Sequence, residues 1–561
     1  MAQQRSYDVA IIGSGAGGGM AAYALTRAGA KVVMLEAGPE WWSTKNSTML
    51  LPSYATPMRG RATRTRPFGE HDACDGGWEI DGEPYTRAAD TRFDWWRARM
   101  LGGRTNHWGR ISLRFGPDDF KGKTKDGLGD DWPIAYDDVK PYYDRVDRLI
   151  GLFGSVEGMR NHPDGIFHPP PKPRCYELLV QKASRKLGIP CVPARLSIIT
   201  RPHNGRAACH YCGQCNRGCA TNSNFSSPEV LIRPAIGTGN LTLVTNAMAR
   251  EVTTGPDGLA TGVAYIDKAT GEDRHLRARV VVLAASALES ARLLLNSTSS
   301  RHVRGLANAS GTVGKYITDT TGTDVAGFIP AMVDHVPHNE EGVGGGHVYM
   351  PWWIDNSKLD FPRGYHIEVW GGLAQPSYGF MGGIQRYPNA GGYGKKLKDD
   401  YRRFYGSTIG FSGRGEMIPN ADSYCEIDPA VVDQWGIPVL RFHWKWSEHE
   451  LNQVKHMQET FRALIAEMGG QVFSPMPTRE QGYGIAPGGR IIHELGGVRM
   501  GDDPKTSALN KWCQAHDCRN LFVADGGPFV TQADKNPTWT IMALAWRTAE
   551  YIAEQRRSNA I

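Results

Sequence analysis

Tyr7-Asp8-Val9-Ala10-Ile11-Ile12-Gly13-Ser14-Gly15-Ala16-Gly17-Gly18-Gly19-Met20-Ala21-Ala22-Tyr23-Ala24-Leu25 runs from an apolar segment of strand length through a glycine-rich turn into a helical stretch. Strand, glycine turn and helix in that order predict the first half of a βαβ dinucleotide-binding unit. Gly13 is expected to make the tight turn, Gly15 to let backbone N–H groups approach a pyrophosphate, and Gly18 to let the helix pack closely on the strand. The helix N-terminus adds the positive end of a dipole. After Gly29 a second apolar strand, Lys31-Val32-Val33-Met34-Leu35, ends in Glu36, where an acid accepts both hydrogen bonds of a ribose diol. A GxGxxG by itself is weak evidence, but the flanking strands and the acid at this distance make the fingerprint specific. It does not separate FAD from NAD.

The chain has 561 residues, well past the roughly 250–300 at which one core stops growing, so two consecutive or interleaved domains are expected. With 40% hydrophobic and 22% charged residues it has a globular composition. Lys and Arg number 64 against 58 Asp and Glu, with no dense basic block, and this balance gives no reason to invoke nucleic acid. No apolar stretch reaches the roughly 18 residues of a spanning helix, so no transmembrane segment is expected. The first strand begins too early for a signal peptide, which predicts a cytoplasmic protein, or a periplasmic one if a partner subunit carries the export signal for both. Several of the 16 Trp are paired, at Trp41-Trp42, Trp95-Trp96 and Trp352-Trp353. Such pairs suit the stacking of sugar rings, although filling the core is the commoner fate of Trp.

Three further segments carry a resemblance. Leu101-Gly102-Gly103-Arg104-Thr105-Asn106-His107-Trp108-Gly109 is a second glycine loop, and Val280-Val281-Val282-Leu283-Ala284-Ala285-Ser286-Ala287-Leu288-Glu289-Ser290 a second strand, turn and helix. His493-Glu494-Leu495-Gly496-Gly497-Val498-Arg499-Met500-Gly501 is followed by Leu521-Phe522-Val523-Ala524-Asp525-Gly526-Gly527 and Asn536-Pro537-Thr538. Over nearly its whole length the chain resembles the glucose-methanol-choline oxidoreductases, and within them the bacterial glucoside 3-dehydrogenase and gluconate 2-dehydrogenase type and the pyranose oxidases. The resemblance implies FAD as cofactor, with Gly13, Gly15, Gly18, Glu36, Gly103, Asn106, His107, Asp525 and Thr538 on its binding surface and Asp525 toward the ribityl chain. It implies His493 and Asn536 as the catalytic pair. Asn106-His107-Trp108 is similar to the Thr-His-Trp of pyranose oxidases, where the histidine is joined covalently to the flavin; the alternative is that the loop only positions backbone.

Oxidising an alcohol requires a base within hydrogen-bond reach of the hydroxyl while a hydride leaves the carbon. His493 suits this, because an imidazole with an ordinary pKa near 6.5 is largely neutral at working pH. Asn536 cannot act as a base, so it is expected to hold the same oxygen. A lone histidine is more often structural than catalytic, and only the surrounding motif reverses those odds for His493.

Cys209, Cys212, Cys215 and Cys219 form C-x2-C-x2-C-x3-C, the ferredoxin-like spacing, although Ala220 stands where such motifs carry Pro. The spacing predicts an iron–sulfur cluster, of the 3Fe-4S or 4Fe-4S type, ahead of a four-cysteine zinc site, disulfides or a plain loop. Cys74, Cys175, Cys191, Cys425, Cys513 and Cys518 show no metal spacing and are expected to be buried free thiols.

The expected fold is α/β: a discontinuous Rossmann-type FAD-binding domain, residues 1–314 and 481–561, and an α+β substrate domain with an antiparallel sheet at 315–480. Tyr349-Met350-Pro351-Trp352-Trp353 and Tyr365-His366-Ile367-Glu368-Val369-Trp370 read as strands of that sheet. Residues 448–468 place Leu451, Val454, Met457, Phe461, Leu464 and Ile465 at helical spacing. The expected reaction is oxidation of a sugar hydroxyl, at C3 of a glucoside by extrapolation. In one form electrons leave through the cluster to an external acceptor, with a small partner subunit and a cytochrome as expected partners. The alternatives are an oxidase that releases hydrogen peroxide and a catalytic subunit inert without its partner.

Overall fold

Val9, Ala10 and Ile11 of strand Ser6–Ile12 are fully removed from solvent at the centre of a seven-stranded sheet. In the computed structural model, residues 6–49, 51–55, 63, 75–334, 342–351, 359–372 and 383–561 are described. Cys74 and the pair Trp352-Trp353 lie outside them.

The first strand is flanked in parallel by Val32–Leu35 and by the second half of Glu272–Leu283, which bring Val32 and Val280 opposite Val9. Leu241–Val244 extends the parallel sheet on one side and Leu521–Val523 on the other. Glu272–Leu283 changes partners along its length, because its first half pairs antiparallel with Ala260–Asp267, which pairs in turn with Ala247–Thr254. Strands buried on both faces need continuous apolar runs, and Val280-Val281-Val282-Leu283 supplies one. Helix Ala16–Arg27 packs against the C-terminal helix Thr538–Arg557, so the two ends of the chain close one core. The carboxyl ends of the parallel strands all open onto one crevice, the usual ligand position of such sheets.

The second sheet has six strands in the order Gln471–Val472, Asp324–Phe328, Thr408–Gly415, Tyr365–Gly371, Val348–Met350, Val192–Pro193, and every pairing is antiparallel. Helix Glu448–Glu467 lies on it, with Val454, Met457, Phe461, Leu464 and Ile465 fully buried against Ile367, Ile409 and Phe411. Each such side chain contributes roughly 1.5–3 kcal/mol of burial. Leu451, expected on the same face, is half-buried. The helix starts where Ser447 Oγ accepts from the His449 N–H at 3.2 Å and Glu450 accepts from the Ser447 N–H at 2.7 Å, a reciprocal cap.

The division at 315 and 480 is crossed twice. Val192–Pro193 joins the second sheet from upstream. Tyr424–Val432 and Pro438–His443 pair with each other and with Thr86–Arg87, and their Cys425, Leu440 and Phe442 pack into the nucleotide-side core. Hydrophobic periodicity assigns strands but does not say which of two cores a strand enters, so this excursion left no signal in the sequence. Among the described residues no helix is long and apolar enough to cross a membrane.

Candidate active site

The crevice is a cavity of about 1390 Å3, its open mouth included, that runs from Glu36 past the glycine turn to His493. Three helices begin at its wall, at Ala16, Ala287 and Thr538, and none has a side-chain cap at its N-terminus. Uncapped N–H groups and three positive dipole ends suit an anionic pyrophosphate. Gly15 borders this space, and a Cβ there would meet nothing within 4 Å. Gly13 lines it with φ +98°, in the left-handed region, and Gly18 lies behind it, where a Cβ would stand 2.0 Å from the Gly13 carbonyl oxygen. Gly18 therefore serves helix packing rather than contact with a ligand.

Glu36 lines the far end; it accepts from Ser14 Oγ and from the Gly38 N–H at 2.8 Å, and burial raises its pKa. Ser14 Oγ also accepts from the Gly102 N–H at 2.8 Å, which ties the two glycine loops together. Asp525 accepts from Ser290 Oγ at 2.5 Å, the Gly527 N–H at 2.8 Å and the Ser286 N–H at 3.2 Å, and burial pushes its carboxyl up to about 6. A cavity with an acid at one end, glycines at the middle and Asp525 and Thr538 beyond them fits FAD.

Besides Gly18, two residues expected on the cofactor surface do not line the cavity. From the second glycine loop Gly103, Arg104, Thr105 and Trp108 line the cavity, whereas Asn106 and His107 do not. Asn106 Nδ2 donates to the Leu101 carbonyl at 2.8 Å, and Trp96 Nε1 donates to His107 Nε2 at 3.2 Å. Each of these bonds holds the loop, and neither side chain faces the cavity.

His493 and Asn536 are brought together. Asn536 Nδ2 donates to Glu368 Oε1 and to His493 Nε2, each at 3.3 Å, and His493 Nδ1 lies 2.9 Å from Thr320 Oγ1. His493 lines the cavity; Asn536 stands behind it. Packed protein surrounds the half-buried imidazole, and burial, with Arg414 nearby, pushes its pKa down to about 3. Burial disfavours the charge on Glu368, but Arg414 at 3.0 Å outweighs this and holds the carboxyl at about 2. The backbone N–H of His493 is fixed by Asp319 Oδ1 at 3.1 Å. Burial and the neighbouring Glu494 push Asp319 up to about 7.

Several contributors escaped the sequence reading. Arg104 pairs with Glu494 at 2.5 Å and donates to the Ile492 carbonyl at 3.2 Å, which locks the second glycine loop to the catalytic segment. Arg99 pairs with Glu83 at 2.8 Å and with Glu289, and Arg292 with Asp433 at 2.8 Å, along the cavity wall. Glu368 carried a faint signal, a carboxylate within an otherwise apolar strand. Thr320, Gln532 and Arg414 carried none.

The expected iron–sulfur cluster finds no support among the described residues. Among the described residues no group of three or more His, Cys, Asp or Glu is arranged to hold a metal ion. Cys209 Sγ accepts from the Tyr211 N–H at 3.3 Å and Cys215 Sγ from the Gly344 N–H at 3.4 Å, while the Cys219 backbone is held by Ser43 Oγ at 2.6 Å. Cys212, the second of the run, is half-buried, and burial raises its thiol and pushes that of Cys209 up to about 12. The ferredoxin-like spacing is not matched by an assembled metal-binding group among the described residues. Of the other cysteines, Cys425, Cys513 and Cys518 are buried free thiols, Cys191 is half-buried and Cys175 is exposed.

The chain is similar to known proteins over most of its length. The family description GMC oxidoreductase matches residues 16–320 and again 419–545. The chain is 31% identical to 2-methyl-1,2-propanediol dehydrogenase of Mycolicibacterium austroafricanum, over 98% of this chain and 95% of that one. It is 26% identical to the fructose dehydrogenase large subunit of Gluconobacter japonicus, over 98% of each chain. A solved structure of Aspergillus oryzae RIB40 formate oxidase superposes with a TM-score of 0.67 at 14% identity, over 100% of both chains, which speaks to the fold alone.

Proposed function

The chain belongs to the GMC oxidoreductase family, an FAD-dependent enzyme acting on CH–OH donors, and from that premise we propose that it oxidises a secondary hydroxyl of a sugar or related polyol with His493 as the base. The observation that carries this reading is the His493–Asn536 pair at the end of the cofactor cavity. Bound FAD supplies the two-electron acceptor for the hydride that leaves the carbon. His493, held neutral by burial and by Arg414, takes the hydroxyl proton on Nε2. When substrate enters, Asn536 Nδ2 exchanges its bond to His493 Nε2 for one to the same oxygen, which frees the imidazole lone pair and steadies the negative charge that grows on the oxygen. Glu494, paired with Arg104, keeps the segment that carries His493 against the second glycine loop.

The sugar part of the proposal draws on the fructose dehydrogenase large subunit, a relative over the full length. Oxidation at C3 of a glucoside is its most specific form. The acceptor divides it into two versions, a dehydrogenase that passes electrons to a partner and an oxidase that passes them to oxygen. An iron–sulfur relay on Cys209, Cys212, Cys215 and Cys219 has the spacing in its favour and the arrangement of the thiols against it. Iron and acid-labile sulfide in anaerobically purified protein decide that point.

The test is anaerobic mixing of the FAD-loaded protein with a panel of mono- and disaccharides, followed by NMR of the product. Bleaching of the flavin and a ketone at one ring carbon are expected. A flavin that no sugar or polyol reduces overturns the proposal. Parallel assays with a dye and with oxygen identify the acceptor.

A further inference from the structure

Ile492, one residue before His493, has φ +66°, in the left-handed region where a β-branched residue is an outlier. Among the described residues no other Val, Ile or Thr stands there. The backbone on both sides of Ile492 is held by a single carboxylate. Asp319 Oδ2 accepts from the Ile491 N–H at 3.3 Å, and Asp319 Oδ1 accepts from the His493 N–H at 3.1 Å and the Thr320 N–H at 2.8 Å. A left-handed residue turns the N–H groups around it toward one point, a concavity that takes an anion. Here the anion is a side chain of the protein itself, 0% exposed. The Ile492 carbonyl is held as well, by Arg104 Nη1 at 3.2 Å. Backbone strain of this kind persists only where the surroundings over-determine it, and it gathers at functional sites. Ile492 and His493 line the cofactor cavity; Asp319 stands outside it.

We infer that Asp319 is a positioning residue for the proposed base: its carboxylate bridges the N–H groups of Ile491 and His493 and so holds the left-handed turn that aims the imidazole into the cavity. The inference rests on the proposed reading of His493. It adds that the aim of the imidazole is set through the backbone, separately from the side-chain bonds to Thr320 and Asn536. In Asp319→Asn one carboxylate oxygen becomes an NH2, so one of the two bridged N–H groups meets a donor and the clamp opens. Ile492→Gly removes the strain that the clamp has to hold, because glycine adopts a positive φ about as readily as a negative one.

The experiment is a double-mutant cycle of Asp319→Asn and Ile492→Gly in the FAD-loaded enzyme, read by anaerobic stopped-flow reduction over a range of concentrations of a methyl glucoside. Misplacing a reacting group by an ångström can cost on the order of 100-fold, so Asp319→Asn is expected to lower the limiting rate by about tenfold to 100-fold while the half-saturating concentration stays within about threefold. In the Ile492→Gly background the same substitution is expected to cost less than about threefold, since the turn no longer needs its clamp. Equal losses in the two backgrounds overturn the inference, as does a loss confined to half-saturation. Amide hydrogen exchange gives a readout that needs no turnover. In Asp319→Asn the Ile491 and His493 amides should exchange faster, on the order of tenfold or more, while those of Thr318 and Leu495, bonded to each other's carbonyls at 2.9 Å, should not change. Unaltered exchange at Ile491 and His493 also overturns the inference. If Asp319→Asn does not fold, adding Ile492→Gly is expected to restore folding, and a double variant that also fails counts against the clamp. A flavin that the glucoside does not reduce bears on the proposed function and leaves the clamp to be decided by exchange.

Discussion

Nδ2 of Asn536 lies 3.3 Å from Nε2 of His493 and can only donate, so His493 presents a lone pair at Nε2 and carries its proton on Nδ1, toward Thr320 Oγ1. That tautomer is the one a base facing Asn536 requires. It is set from outside the imidazole by three polar side chains in series: Arg414 holds Glu368, Glu368 orients Asn536, and Asn536 fixes His493.

His493→Ala is expected to leave FAD bound, because the glycine turns, Glu36 and Asp525 that shape the cofactor cavity are untouched. Reduction of the flavin by substrate should slow by a factor on the order of 100 or more, the usual loss when general-base catalysis is removed. Single-turnover stopped-flow measures this directly, and an unchanged rate would exclude His493 as the base.

The depressed pKa of His493 fixes the sign of a pH effect. The neutral form is the active one, so activity is complete above the pKa and lost as pH falls through it. With the pKa near 3, the rate of flavin reduction should vary by less than about threefold between pH 5 and 8 on account of this group. A base with the ordinary value of about 6.5 would be only about 3% neutral at pH 5. Arg414 is one cause of the depression, so Arg414→Gln is expected to move the acid limb toward higher pH. A midpoint near 6.5 in the unaltered enzyme would contradict the burial of His493.

None of the four clustered cysteines lines the cofactor cavity. Cys209→Ser and Cys212→Ser should therefore leave the rate of flavin reduction by substrate within about twofold, since neither thiol reaches His493 or the cavity wall. Delivery of electrons to an external acceptor is a separate measurement on the same variants. A fall in the second rate with the first preserved would place the cysteines on the way out of the flavin; a fall in both would put them in the site itself.

Much of this architecture is legible in the sequence because it rests on local chemistry. The run from Tyr7 to Glu36 specifies strand, turn, helix and strand by composition alone, and helix Glu448–Glu467 follows from its apolar spacing and its Ser447–Glu450 cap. His493, the proposed base, is visible through its motif. What the sequence conceals is pairing across long separations. Glu368 meets Asn536 across 168 positions and Arg104 meets Glu494 across 390, and no periodicity connects them. The cysteine run is the opposite case, a local spacing that suggests a donor set for which the described residues give no support.

Two glycines two positions apart in the same turn, Gly13 and Gly15, should respond to alanine in opposite ways. At Gly13 the backbone is left-handed, with φ +98°, and a Cβ would stand 2.2 Å from the Ala284 carbonyl oxygen, so the cost falls on the fold itself. Left-handed backbone costs an L residue roughly 1–2 kcal/mol and overpacking typically adds 1–3. Gly13→Ala is therefore expected to destabilise the protein even before cofactor is added. Gly15 has φ −64°, which alanine adopts freely, and its Cβ would meet nothing in the chain, so the folded protein should melt as before. The methyl group instead projects into the space the pyrophosphate must enter, and FAD affinity should fall by about tenfold or more, the equivalent of roughly 1.4 kcal/mol. Thermal melts of both apoproteins, with flavin titration of each, separate the two effects. A Gly15→Ala protein that binds FAD normally would show that the cofactor does not approach this turn.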